Sequence, residues 1–424
     1  MLQLQFIVEN KEKTIRGLQK KHFQNAEQYV EKIIRLDQER RQLIVQNNDI
    51  KNKINSLSRE IGELFKSGKK EEAEKLKQQS TEYKNKEAEL DKMLKDVEQE
   101  LYNVLVLLPN LPHDSVPDGN SAEDNEVVFQ YGEIPSLPDS ALCHWDLAAK
   151  YDIIDFETGV KLTGAGFPVY KGKGAKLQRA LINFFLDQAT QNGYTEIEPP
   201  ILVNEASGFG TGQLPDKDGQ MYFVNEDKLY LIPTAEVPIT NIYRDVILKE
   251  EELPIKNCGY TPCFRREAGS YGKDVRGLNR LHQFDKVEIV QIAHPEKSYE
   301  VFEEMREYVA GLLKKLELPF RTVKLCGGDM SFASALTYDM EVYSAAQKRW
   351  LEVSSISNFE TFQTNRLKCR FKDKKGKTQL AHSLNGSALA LPRIVAALLE
   401  NNQTEKGIKI PSVLVPYTGF EWID

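Results

Sequence analysis

A seam spaced alternately by four and three residues runs through Tyr29, Ile33, Leu36, Arg40, Leu43, Asn47, Ile50, Ile54, Leu57, Ile61 and Leu64. It is mostly apolar, as the contact stripe of a coiled coil must be. Ser67-Gly68 breaks the pattern, which resumes at Ala73, Leu76, Ser80, Tyr83, Glu87, Leu90, Leu94, Val97, Leu101, Val104 and Leu108 and stops at Pro109 and Pro112. Proline lacks the N–H that would continue a helix. Two seams joined by so short a turn pack antiparallel, a rod of roughly 50 Å at the rise of an α-helix. Because the stripe is narrow and the other faces are polar, the rod is expected to stand in solvent rather than lie on a core.

Beyond the rod the periodicity changes. Pro112 to Pro138 is rich in Pro, Asp, Asn, Ser and Gly and reads as an exposed connection, which places a domain boundary near residue 112. Gly174 to Asn192 repeats Leu177, Ala180, Leu181, Phe184, Phe185 and Gln188 at helical spacing, and Gly193 ends it. Tyr194 to Val203 follows as a strand whose Pro199-Pro200 pair suits an edge or an interface. Two further strand-like runs, Tyr260 to Glu267 and His282 to Ile292, flank a loop carrying Gly269, Gly272 and Gly277, the pattern of an antiparallel hairpin. Alternation puts Arg265 with Glu267 on one face of the first strand, and Phe284 with Glu288 on one face of the second.

If those faces coincide, the hairpin offers a guanidinium to a phosphate, an aromatic plate to a base and carboxylates to a cation or amine. Lys273, Arg276 and Arg280 add cations suited to phosphate. Each part alone has a plainer reading, since Arg-x-Glu on a strand is commonly a surface ion pair and a strand Phe commonly belongs to a core. Composition narrows the classes. The chain has 424 residues, 41% hydrophobic and 28% charged, enough for a large core in more than one domain. Its five cysteines form no Cys-x-x-Cys pair, which argues against structural zinc and for free thiols in a reducing cytosol. No apolar run approaches the length of a membrane span, and the first residues are unlike a signal peptide, so a cytoplasmic protein is expected.

Net charge is −7, yet Lys51 to Lys77 holds eight basic residues against five acidic ones, an excess of three positive charges at the turn of the rod. Such a tip suits a phosphate backbone, although dimerisation or spacing would equally explain an isolated coiled coil.

Phe264-Arg265-x-Glu267, the glycine-studded basic loop and His282-Gln283-Phe284-x-Lys286-Val287-Glu288 resemble motif 2 of the class II aminoacyl-tRNA synthetases, and within them the seryl-tRNA synthetases. The helix, strand and Pro199 resemble motif 1, which implies a homodimer. Asn385-Gly386-Ser387 through Pro392-Arg393 to Glu400 resembles motif 3. Here Ser387 is read as the cap of a helix that begins beside Arg393, a good place for an anion. The resemblance spans nearly the whole chain and implies an α+β fold: an N-terminal antiparallel helical arm (residues 1–112), then a catalytic domain (113–424) on a mostly antiparallel β-sheet flanked by helices. No phosphate-binding Gly-x-x-x-x-Gly-Lys-Ser/Thr loop occurs, so ATP would sit on strands.

The implied reaction is L-serine with ATP giving seryl-adenylate and pyrophosphate, then transfer to the terminal adenosine of serine tRNA. The arm would grip that tRNA, and charging of selenocysteine tRNA stays open. By resemblance Arg265 and Arg393 are catalytic; Thr234, Ala235, Glu236, Glu288 and Ser387 hold L-serine. Arg265, Arg266, Glu267, Leu281, Phe284, Glu352, Val353, Ser354, Ser355 and Arg393 surround ATP, with Glu352 and Ser355 as Mg²⁺ ligands. Strict alternation along Trp350 to Ser355 would instead put Ser354 on the face of Glu352, so Ser355 fits only if the strand turns there. Arg266 stands where the family commonly has Ser, and Tyr343 where it often has Trp. Two rivals are an enzyme that activates an amino acid for a carrier protein, which would lack a full arm, and a non-catalytic relic, which would have lost Arg265, Glu352 or Arg393.

Overall fold

A computed structural model describes residues 1–216, 219–267 and 276–424. The chain forms two compact units: residues 2–19 with 23–109, and residues 1, 20–22 and 110–424. Among the described residues no helix is long and apolar enough to cross a membrane. All five cysteines carry free thiols.

The smaller unit opens with two short helices, α1 (Leu4–Glu9) and α2 (Lys11–Lys20), before the long pair α3 (Ala26–Lys66) and α4 (Lys70–Leu105). Ile33, Leu36, Leu43 and Ile50 of α3 and Ala73, Leu90, Val97, Leu101 and Val104 of α4 are buried, the seam that the heptads predict. Helix α4 ends three residues before Leu108, so the last seam position lies outside it. Asp37, also buried, takes ion pairs from Arg40 and Arg41 at 2.8 and 2.7 Å, which removes the cost of a lone carboxylate inside the hairpin. At the basic turn, Lys69 pairs with Glu72 and Lys77 with Glu74, so part of the excess charge is locally balanced.

The larger unit is built on eight strands: β1 (Glu126–Tyr131), β2 (Thr195–Glu196), β3 (Ile255–Phe264), β4 (Gln283–Ala293), β5 (Phe320–Lys324), β6 (Leu336–Ser344), β7 (Arg349–Glu360) and β8 (His382–Ala390). Their order is β1-β5-β6-β7-β8-β4-β3-β2, antiparallel throughout except for the parallel edge pair β2–β3. Six helices matter to the site: α5 (His144–Lys150), α6 (Gly172–Gln191), α7 (Glu236–Asn241), α8 (Ser298–Lys315), α9 (Thr361–Leu367) and α10 (Leu391–Asn401). Leu177, Leu181 and Phe185 of α6, Phe302, Met305 and Val309 of α8, and Ile394 and Leu398 of α10 join Val287, Ile289, Met340, Leu351 and Ile356 in one core. The sheet residues that alternate with that core are left for the opposite face.

Several expectations change. The segment read as a linker contains β1, an edge strand whose six residues are all exposed; with both faces wet it carries no alternation to betray it. The strand expected over Tyr194 to Val203 is only Thr195–Glu196 and Leu202–Val203, because the proline pair between them cannot donate to a ladder. Its first piece does sit at the sheet edge. Strand β3 stops at Phe264: Arg265 adds one more backbone bond to His282 at 2.9 Å, but Arg266 turns to Gln220 and Glu267 has φ +48°. Glu267 therefore does not share a strand face with Arg265. Ser387 lies within β8 and caps nothing; α10 begins after Ala390 with Pro392 in its first turn. Gly269, Gly272 and Lys273 lie outside the described residues.

Candidate active site

Phe284, Lys286 and Glu288 alternate along β4 and so point to the face away from the helical core. Asn385 and Ser387 of β8 and Glu352, Ser355 and Ser357 of β7 share that face, and together these side chains floor a cavity of about 870 Å³. Of the residues expected at the site, Arg265, Glu267, Thr234, Glu236, Leu281, Phe284, Glu288, Glu352, Val353, Ser354, Ser355, Ser387 and Arg393 line this cavity. Ala235 and Arg266 do not. The Ala235 methyl is packed against Ile239 and Val290, and Arg266 is exposed beside Tyr222.

At one end lie three buried charges. Lys286 pairs with Glu288 and donates to Thr234 Oγ1 at 2.8 Å, while Ser387 Oγ is 3.4 Å from Glu288 Oε2. Glu236, at the start of α7, accepts from the Gln363 amide of α9 at 2.6 Å. Burial, and then the nearby Glu288, push its carboxyl up to about 7. With Glu236 ionised, two carboxylates against one lysine leave this end one positive charge short of neutrality. A small ligand with an ammonium and a hydroxyl meets that deficit.

At the other end a β-bulge sets the geometry. Glu341 pairs with Glu352 and Met340 with Ser354, so Val353 has no partner across the ladder. The extra residue returns Ser355, opposite Asp339, to the face of Glu352, opposite Glu341. This is the turn that the Ser355 assignment requires. Arg393, in the first turn of α10, donates from Nη1 to the Glu352 carbonyl at 2.7 Å and from Nε to the Asn279 carbonyl at 3.0 Å. Behind Ser355, Asp339 Oδ1 is buried with no hydrogen-bond partner among the described residues. Burial and the neighbouring Glu352 drive the Asp339 carboxyl well above the usual range, and the Ser355 hydroxyl offsets part of that. An orphaned acidic oxygen beside two hard oxygen donors fits a divalent cation such as Mg²⁺, which takes one or two protein ligands and completes its shell with phosphate and water.

Between the ends, the Arg265 guanidinium lies 5.3 Å from the centre of the Phe284 ring and donates to the Pro233 carbonyl at 3.3 Å. A flat cation over an aromatic plate is a mutually attractive pair, and the two offer a stacking surface to a planar group and a charge to an anion. Arg280 pairs with Glu267 at 2.7 Å, a fixed ion pair at the rim of the cavity. Sequence reasoning missed Lys286, Gln363, Asn385 and Asn279 as site groups. Lys286 alone was findable, since alternation puts it between Phe284 and Glu288.

Comparison with known proteins follows the same division. Residues 222–402 match the model of the tRNA synthetase class II core domain (G, H, P, S and T), and residues 1–112 match the seryl-tRNA synthetase N-terminal domain. The serine–tRNA ligase of Salinibacter ruber is 50% identical over 393 residues, 92% of either chain. That of Chlorobium luteolum is 46% identical over 427 residues, 100% of this chain and 99% of the other. Among solved structures, seryl-tRNA synthetase from Pyrococcus horikoshii complexed with ATP superposes with a TM-score of 0.94 at 33% identity, covering 100% of this chain and 99% of that one. Cytoplasmic serine–tRNA ligase from Naegleria fowleri in complex with AMP gives 0.88 at 28% identity, with the same coverage.

Proposed function

The chain belongs to the seryl-tRNA synthetase family, activating serine with ATP and passing it to tRNA, and from that premise we propose how its residues divide the work. The carrying observation is the one cavity that joins a charge-deficient amino-acid end to a phosphate end under Arg393. Glu236 receives the ammonium of L-serine, because Glu288 is already paired with Lys286. Glu288 and Ser387 meet the serine hydroxyl. Threonine is excluded by size, and alanine by the polar groups it would leave unpaired.

Phe284 stacks on adenine with Glu267 beside the base, Arg265 takes the α-phosphate and Arg393 the γ-phosphate. Glu352 and Ser355 are the residues that would hold Mg²⁺, whose charge would neutralise the phosphate oxygens. The serine carboxylate attacks the α-phosphorus in line and pyrophosphate leaves; a terminal ribose hydroxyl of tRNA then attacks the seryl carbonyl and AMP leaves. The first step needs no side-chain nucleophile, only orientation and charge neutralisation. Residues 1–112 form the tRNA-binding arm, with the basic turn against the phosphate backbone of serine tRNA, and 113–424 the catalytic domain. A homodimer in the cytoplasm, joined through α6 and the Pro199 segment, completes the reading.

Pyrophosphate exchange that requires serine, and that collapses in folded Arg265→Ala, is the expected result. Exchange that survives the substitution would remove Arg265 from its role.

A further inference from the structure

One buried polar cluster stands behind the phosphate end without touching the cavity. His144, at the start of α5, and Glu400, near the end of α10, are both fully buried and joined from Nδ1 to Oε1 at 2.6 Å. The Leu278 N–H donates to His144 Nε2 at 2.8 Å. That bond needs a lone pair on Nε2, so the ring proton sits on Nδ1 and is given to Glu400.

Glu400 is saturated with donors. Besides the ring it accepts from the His144 backbone at 2.8 Å, from Gln347 Nε2 at 2.9 and 3.2 Å, and from the Ser344 hydroxyl. A carboxylate so surrounded is a fixed post. Its outward connections all lead one way. Gln347 Oε1 accepts from Asn279 Nδ2 at 3.0 Å, and the Asn279 carbonyl accepts from Arg393 Nε at 3.0 Å. Gly277 completes the fit: at φ +65° its place for a Cβ lies 2.2 Å from His144 Nε2, so only glycine lets the loop reach the ring.

We propose that His144, Glu400 and Gln347 are positioning residues that hold the Leu278–Asn279 backbone in place and thereby aim Arg393 at the terminal phosphate of the nucleotide. The physical gain is entropic. A long arginine tied by its Nε to an immobile carbonyl has little rotamer freedom left to lose when a phosphate arrives. The inference rests on the assignment of Arg393 to the γ-phosphate.

The test uses the full chain and titration calorimetry with a non-hydrolysable ATP analogue and with AMP. Gln347 is half-buried, so Gln347→Ala spares the core. It is expected to weaken the triphosphate by about tenfold while AMP affinity stays within about twofold, since only the triphosphate reaches Arg393. Gln347→Glu, which sets a second carboxylate against Glu400, is expected to weaken the triphosphate further. A merely structural role would weaken both ligands alike, and equal losses, or none, overturn the proposal. Arg393→Ala run in parallel separates the two ideas. If it shows the selective loss and Gln347→Ala does not, the positioning role falls; if it shows no selectivity, the assignment of Arg393 falls and the positioning role with it.

Discussion

Gln363 Nε2 donates to Glu236 Oε1 across 2.6 Å, so a neutral amide faces a buried carboxylate whose proton affinity is raised to about 7. In the empty site Glu236 is protonated below that pH and charged above it. An ammonium needs the charged form. Serine KM in pyrophosphate exchange is therefore expected to be flat above about pH 7 and to rise by up to about tenfold per pH unit below it. Glu236→Gln removes the pH dependence together with most of the serine affinity, and exchange measured between pH 5.5 and 8.5 checks both.

Lys286 and Glu288 are a buried pair, with side chains 6% and 2% exposed. Removing the cation strands Glu288 and frees the Thr234 hydroxyl. Lys286→Met is expected to lower stability by about 3 kcal/mol in urea unfolding, as breaking one half of a buried ion pair does. A loss under about 1 kcal/mol would mean that Glu288 is solvated or protonated there.

The phosphate end predicts a metal requirement. Chelation with EDTA should stop exchange and added Mg²⁺ restore it. Ser355→Ala should raise the Mg²⁺ concentration for half-maximal exchange by about tenfold, with Ser354→Ala much closer to wild type. The reverse order would place the wrong serine at the metal.

The helical hairpin predicts a separation of the two steps. Leu90 is buried at a seam position of α4, and Leu90→Ala is expected to cost the hairpin about 3 kcal/mol. Charging of serine tRNA should fall while serine-dependent pyrophosphate exchange is unchanged. Parallel loss of both activities would show that the hairpin serves the chemistry as well as the tRNA.

What could be read from the sequence depended on periodicity. The seams of α3 and α4, the helix α6 and the alternation of Phe284 with Glu288 all announce themselves, because one face of each is apolar or chemically distinct. Strand β1 does not, having no dry face. His144 is 134 residues from Leu278 in the chain, and a single histidine ahead of a tryptophan carries no spacing that would link it to Arg393. Glu267 reached the site by leaving the strand that was meant to present it.

The unpaired Val353 has a consequence for how this site can vary. Because the surplus residue in β7 is absorbed as a bulge, the pairing on either side of it keeps the register of a regular strand. A deletion of Val353 would leave Ser355 two positions after Glu352 in a regular strand, on the same face, with Ser354 between them turned to the other. Relatives that lack this one residue should therefore keep both side chains on the cavity face.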